Sequence, residues 1–170
     1  EQMLRKPGGD REMVDVLEQC RAVTVARVHG GVYGGATDLA LSCDFRVGST
    51  AAEMFMPAAR LGLHFYQGGL ERYVTRLGLD TAKRLFLTCE RLDAREMRAC
   101  GFLTHLVEPE ALDSTVDGLT DTLKAMAPLP LFGMKKHLNL SARGQHDPAA
   151  IAEAVQRTVH SQDLQEGGTA

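Results

Sequence analysis

The sequence predicts an α/β fold closed by a run of helices, and three observations lead there. A short β-branched stretch, Ala22 to Val28, passes through glycines into a segment apolar on almost every side, Ala36 to Cys43, and strand character returns at Phe45. Glycines and prolines fall at the ends of these patterned stretches rather than inside them. Beyond Pro109 the apolar residues recur every three or four positions, with no strand pattern left.

Taken in order, Met13, Val14, Val16 and Leu17 recur at helical spacing, so a helix is expected from Asp10, its N-cap, to Cys20. Ala22 to Val28 is a buried strand. Phe45 to Val47 and Glu53 to Met56 read as two more, the second closed by Pro57, which cannot donate to a ladder. Gly68-Gly69 opens a helix through Leu77 that Gly78 stops, and Asp80 caps the next one, through Leu87. Asp93 and Glu96 have the spacing of a capping box for a helix ending at Gly101. Phe102 to Val107 is the last strand. Helices are expected over Glu110 to Met126, Leu131 to Leu140 and Ala149 to His160, and Glu166 to Ala170 reads as a frayed end.

Composition narrows the classes of function. With 19 basic and 22 acidic residues and a net charge of -3, nothing favours binding nucleic acid. No apolar stretch approaches the roughly 20 residues of a membrane span. Glu1 to Lys6 lacks the apolar core of a secretory signal, and the four cysteines are widely spaced, so reduced thiols and a cytoplasmic location are expected. No His-x-x-x-His or Cys-x-x-Cys spacing occurs, so no metal is predicted.

The chemistry-bearing segment is His29-Gly30-Gly31-Val32-Tyr33-Gly34-Gly35-Ala36-Thr37-Asp38-Leu39-Ala40. A strand here turns through glycine into the start of a buried helix, whose first N–H groups have no intrahelical partners. The helix dipole adds positive potential, and a glycine lets a substrate oxygen approach the peptide N–H, which makes an anion site. The same residues also suit a turn that does no more than let strand pack on helix. Asp44, just after the helix, reads as a structural hydrogen-bond acceptor, and Cys43 as inert packing.

An ordered series of short motifs runs on from this segment: Leu39-Ala40-Leu41-Ser42-Cys43-Asp44, then Phe55-Met56-Pro57-Ala58-Ala59-Arg60-Leu61-Gly62, then Gly68-Gly69-Leu70-Glu71-Arg72. Leu87-Thr88, Asp93 to Glu96, Gly101 to Leu103 and Lys135 to Asn139 continue it. Over roughly residues 22 to 140 this order resembles the crotonase (enoyl-CoA hydratase/isomerase) family. The resemblance implies a partial crotonase-like ββα spiral core over residues 1–108 and an all-helical C-terminal oligomerisation segment over 109–170. It also implies a homo-oligomer, a trimer or a dimer of trimers. The family's earlier strands, which supply a second oxyanion donor and much of the coenzyme A surface, find no counterpart, so the chain is expected to be a fragment, the alternative being that another chain completes the site.

Residue by residue, the resemblance places an oxyanion donor on the Gly35 N–H, beside Gly34 and Tyr33 in the substrate-binding turn. The family's two proton-handling carboxylates fall on Asp38, with one methylene less reach, and on Ala58, which cannot hold a proton. Losing one positioned acid or base costs about 10²- to 10⁴-fold, so ordinary hydration is disfavoured, and double-bond isomerisation, for which the family relies on the same glutamate, is weakened by the same argument. His64 and Tyr66, on the pocket loop with Phe65, are candidate replacements or packing residues. Lys135 is a candidate for a coenzyme A phosphate or one of a solvated pair with Lys136. The expected activity is an acyl-CoA enzyme of the hydratase/isomerase type, with coenzyme A as part of the substrate and no separate cofactor. A malonyl-type decarboxylase and a silent acyl-CoA-binding member are the alternatives.

Overall fold

A computed structural model describes residues 9–159 and Ser161. Eight α-helices and six strands alternate through it: α1 (Gly9–Gln19), β1 (Val25–Val28), β2 (Gly31–Tyr33), α2 (Gly35–Ser42), β3 (Phe45–Ser49), β4 (Glu53–Phe55), α3 (Gln67–Leu77), α4 (Leu79–Thr88), β5 (Arg91–Asp93), α5 (Ala94–Ala99), β6 (His105–Val107), α6 (Leu112–Lys124), α7 (Pro128–Ala142) and α8 (Pro148–Val159).

The strands form two three-stranded sheets. In one, β3 lies between β1 and β6 with both pairings parallel. In the other, β4 lies between β2 and β5, parallel to β2 and antiparallel to β5. The chain thus visits one sheet and then the other before each helical stretch: β1, β2, α2, then β3, β4, α3. Two turns of a strand–strand–helix coil result, the arrangement implied by the resemblance. The core lies between these layers, where Leu41, Met54, Met56, Tyr73, Leu85, Leu92, Met97, Phe102 and Leu103 are fully enclosed. Burial of such side chains is the main stabilising term, roughly 1.5–3 kcal/mol each.

Local chemistry explains where the elements begin and end. The capping box is present in full: Glu96 N donates to Asp93 Oδ1 at 2.9 Å, and Asp93 N to Glu96 Oε2 at 3.0 Å. Several expectations are corrected. Asp10 falls inside α1 rather than before it. Gly78, not Asp80, occupies the N-cap of α4, so one glycine both ends α3 and starts α4 and leaves Asp80 in the first turn. Pro128 and Pro130 belong to the first turn of α7, where a missing N–H costs nothing, instead of separating it from its neighbour. The last strand is shorter than Phe102 to Val107, because Phe102 and Leu103 turn into the core before pairing begins at His105. The expected end of α8 at His160 lies outside the described residues.

Between residue 109 and residue 159 no strand occurs among the described residues. Helix α6 packs over β1 and β3, and α7 and α8 pack together. Helix α7 also grips α1: Asn139 Nδ2 donates to Glu18 O at 3.1 Å. No described helix is long and apolar enough to cross a membrane.

Candidate functional site at the start of helix α2

Strand β2 ends at Tyr33, and the next two residues make the turn into α2. Gly34 adopts φ 56° and ψ -127°, a conformation that only glycine enters without strain. Its N–H donates to Phe55 O at 2.9 Å, and its carbonyl accepts from Thr37 N at 3.0 Å and Thr37 Oγ1 at 2.7 Å. Thr37 also shares a short hydrogen bond with the buried Tyr73 hydroxyl, which fastens the turn to the core. Gly35 is the first residue of the helix. Its N–H has no acceptor among the described residues, and a Cβ built on it meets nothing within 4 Å. Gly35 is exposed, and its amide is left without an acceptor among the described residues at the positive end of a helix dipole.

One turn further along, Asp38 is 2% exposed. Each of its oxygens has a donor: Arg72 Nη1 reaches Oδ1 at 2.5 Å, and the Tyr66 hydroxyl reaches Oδ2 at 2.5 Å. Tyr66 stands at the N-cap of α3, half-buried, with its hydroxyl also 3.3 Å from Arg72 Nη1. Burial first, and then the hydrogen bond to Asp38, raise its phenol well above the ordinary 10.0. The phenol therefore keeps its proton throughout the neutral range.

Arg72 is itself fully enclosed and links this pair to helix α1. Its Nη2 lies 2.6 Å from Asp15 Oδ1 and 3.3 Å from Glu18 Oε2. Its Nε is 3.2 Å from Glu18 Oε1, near enough for an ion pair but off the hydrogen-bond direction. Glu18 also meets Arg76 at 3.3 Å and, more closely, Arg143 at the C-cap of α7.

The structure brings Gly34, Gly35, Asp38 and Tyr66 together around the first turn of α2. His64 does not join them: it is exposed, with Nδ1 2.7 Å from Phe65 O. Phe65 sits in an aromatic cluster, its ring centroid 5.1 Å from Tyr66, 6.0 Å from Tyr73 and 5.0 Å from Phe86. Gly69 leaves room for that ring, because a Cβ there would collide with it. The Ala58 methyl is buried in the core, and its carbonyl accepts from Leu63 N at 2.9 Å. Tyr33 points out of the sheet, donates to Glu53 and carries the Arg91 guanidinium 5.5 Å from its ring. A hollow of about 490 Å³ borders Phe55, Arg60, Cys89 and Arg91, and none of the four predicted catalytic residues lines it.

Lys135 is a correction. It is 9% exposed, and its Nζ lies 2.7 Å from Asp44 Oδ2 and donates to Ala22 O at 2.6 Å. That ammonium is committed to fixing α7 against α1 and α2, so it is not offered to a phosphate. Asp44 is the structural acceptor the sequence suggests, taking Thr24 N at 2.7 Å as well. The Cys43 thiol is buried, which raises its pKa and suits inert packing. Arg72 is the residue of this site that sequence reasoning misses. Its signal is the spacing Gly68-Gly69-x-x-Arg72, which a motif reading counts without asking what the arginine touches. Among the described residues no group of three His, Cys, Asp or Glu side chains could hold a metal.

Comparison with known proteins agrees with this architecture. The sequence matches the enoyl-CoA hydratase/isomerase family over residues 5–170. It is 29% identical over 138 residues to a short-chain-enoyl-CoA hydratase of Clostridium acetobutylicum, covering 81% of this chain and 53% of that protein. It is 31% identical over 123 residues to a short-chain-enoyl-CoA hydratase of Clostridioides difficile, covering 72% of this chain and 79% of that one. A Thermobifida fusca protein solved in complex with acetoacetyl-CoA superposes with a TM-score of 0.78 at 31% identity, covering 92% of this chain and 60% of that one. The chain thus spans about half the length of the first of these relatives. With the coiled strand–strand–helix core and a family match along nearly all of its length, the chain belongs to the enoyl-CoA hydratase/isomerase family.

Proposed function

We propose that this protein acts on acyl-CoA thioesters by stabilising an enolate, with the Gly35 N–H donating to the thioester oxygen. The observation that carries the reading is that amide, exposed at a helix N-terminus and without an acceptor among the described residues. A fixed donor of this kind gains strength as charge develops on the oxygen, which lowers the barrier to taking the α-proton. The T. fusca protein solved with acetoacetyl-CoA supports a thioester as ligand.

Proton handling falls to the Asp38–Tyr66 pair, with Asp38 shielded and Tyr66 half-exposed in front of it. As the substrate C–H bond breaks, its electron pair moves into the enolate and its proton goes to the Tyr66 oxygen. The phenol proton passes to Asp38 Oδ2, and the return of a proton to another carbon reverses the relay. Such a pair moves one proton at a time. Double-bond isomerisation needs no more, whereas hydration needs a second group to position water, and Ala58 offers a methyl. Isomerisation therefore ranks above hydration. Assembly into a homo-oligomer, a trimer or a dimer of trimers, belongs to the same reading. The exposed Met134, Leu138, Val155 and Val159 on α7 and α8 support it.

The test offers the protein a β,γ-enoyl-CoA, crotonyl-CoA and a malonyl-type CoA. We expect conversion of the β,γ-enoyl thioester to dominate, and to fall about 10²- to 10⁴-fold in Asp38→Asn. Carbon dioxide release as the main reaction would replace this reading with decarboxylation. Tight thioester binding without turnover would replace it with a binding role.

A further inference from the structure

We infer that Arg72 is the positioning residue of this site, and that helix α1 aims it. The inference rests on the enolate reading above. A guanidinium is planar, so holding Nη2 sets the plane and with it the direction of Nη1. In Arg72, Nη2 donates to Asp15 at 2.6 Å and to Glu18 at 3.3 Å, both carboxylates coming from α1, while Nε lies within ion-pair range of Glu18 at 3.2 Å without a hydrogen bond. The remaining Nη1 is left pointing at Asp38 Oδ1, 2.5 Å away, and at the Tyr66 hydroxyl, 3.3 Å away. Glu18 cannot swing aside, because Arg76 and Arg143 hold it from α3 and from the end of α7.

This geometry gives the two oxygens of Asp38 different tasks. Oδ1 is occupied by a permanent cation, and Oδ2 is left to the phenol, the partner that can pass its proton on only as it takes up another. Arg72 touches neither the space in front of Gly35 nor solvent, since its side chain is 0% exposed. It acts through Asp38. Charge compensation of the buried Asp38 would also place a guanidinium there, so the readout that separates a positioning role from a structural one is kcat measured on folded protein.

A double-mutant cycle on turnover tests this, with kcat and KM measured for the β,γ-enoyl-CoA and folding followed by circular dichroism. We expect Arg72→Lys, which keeps the charge and loses the fork, to lower kcat by about 10-fold or more with KM within about 2-fold. In an Asp38→Asn background the same change should cost nothing further, because its route to the substrate is already cut. Asp15→Ala, at a partly exposed position, is the milder variant should Arg72→Lys not fold. We expect a several-fold lower kcat from it, again cancelled in Asp38→Asn. Losses that add in the double variants, or that fall on KM instead of kcat, would overturn the role of Arg72 while leaving the enolate reading standing. A wild-type protein that turns over no acyl-CoA thioester would overturn the enolate reading, and this inference with it.

Discussion

Helix α2 has a carboxylate near each end, Asp38 buried and Asp44 partly buried, and the two are built differently. Asp44, past the C-terminus, is met by Lys135 Nζ, the Thr24 N–H and the Thr24 hydroxyl. Asp38, in the first turn, is met by a guanidinium and a phenol. Both are satisfied, as buried charges must be. The difference lies in what can leave: the Asp44 partners are an ammonium sealed between helices, a backbone amide and a hydroxyl that also accepts from Asp44 N. The Asp38 partner Tyr66 is half-exposed, and Asp38 itself lies in the same first turn of α2 as the open Gly35 amide. A full set of hydrogen bonds therefore does not separate a structural clasp from a proton-handling pair. The identity of the donor and its exposure do.

The sharpest way to break this comparison is to neutralise each carboxylate in turn. Asp38→Asn should lower turnover by about 10²- to 10⁴-fold. Asp44→Asn should leave Lys135 buried beside a neutral partner and cost about 3 kcal/mol of stability, with turnover per folded molecule unchanged. Urea titrations paired with active-site-normalised rates separate the two outcomes. A large loss of specific activity in Asp44→Asn would erase the distinction.

Next in size is the phenol. Tyr66→Phe keeps the ring that packs 5.1 Å from Phe65 and removes only the hydroxyl, so turnover should drop by about 10²-fold. The hydroxyl of Thr24, serving Asp44, is its counterpart, and Thr24→Val should lower the melting temperature without touching specific activity. Equal catalytic losses in the two variants would show that any donor near α2 matters and that Tyr66 holds no special place.

The two glycines of the turn give a smaller contrast. Gly34, at φ 56° and ψ -127°, cannot take a side chain without strain, and Gly34→Ala should destabilise the fold by about 1–3 kcal/mol. Gly35 has a helical backbone with free space around it, so Gly35→Ala should leave the melting temperature unchanged while its methyl enters the space where a thioester oxygen would sit. A raised KM at constant stability is the expected signature of Gly35→Ala.

Much of this is legible in the sequence, and what is not has physical causes. Alternation of β-branched strand, glycine and apolar helix places β1, α2 and β3, because those features are local. The Asp93 capping box is readable for the same reason. Strands β2 and β5 escape a sequence reading: each has three residues, one begins with glycine and the other carries Arg91 and Asp93, so neither shows a strand pattern. They exist because β4 lies between them to pair with both. The turn residues Gly34 and Gly35 and the acid Asp38 are found together because four to five positions of sequence hold them. Lys135 is misplaced and Arg72 overlooked because their partners, Asp44 and Ala22 for one and Asp15, Glu18 and Asp38 for the other, are assembled by packing between helices far apart in the chain. Sequence spacing carries no information about such contacts.

The smallest effect concerns alkaline stability, and it again divides the two ends of α2. The folded protein holds the Tyr66 proton more tightly than the unfolded chain does, since burial and then Asp38 raise the phenol. Below the ordinary value of 10.0 both states are protonated and this contribution is present in full. As the pH rises above it, the unfolded chain releases its proton first, so the unfolded state binds fewer protons and stability falls with pH. Tyr66→Phe removes this linkage and should flatten the decline between about pH 9 and about pH 11. Buried Tyr73, raised mainly by burial, remains in that variant, so some slope persists. Thermal melts across that range, run beside Thr24→Val, provide the check. Thr24 carries no titrating group, so its variant should run parallel to wild type at a lower temperature, and only the Tyr66→Phe curve should converge on the wild-type curve as the pH rises.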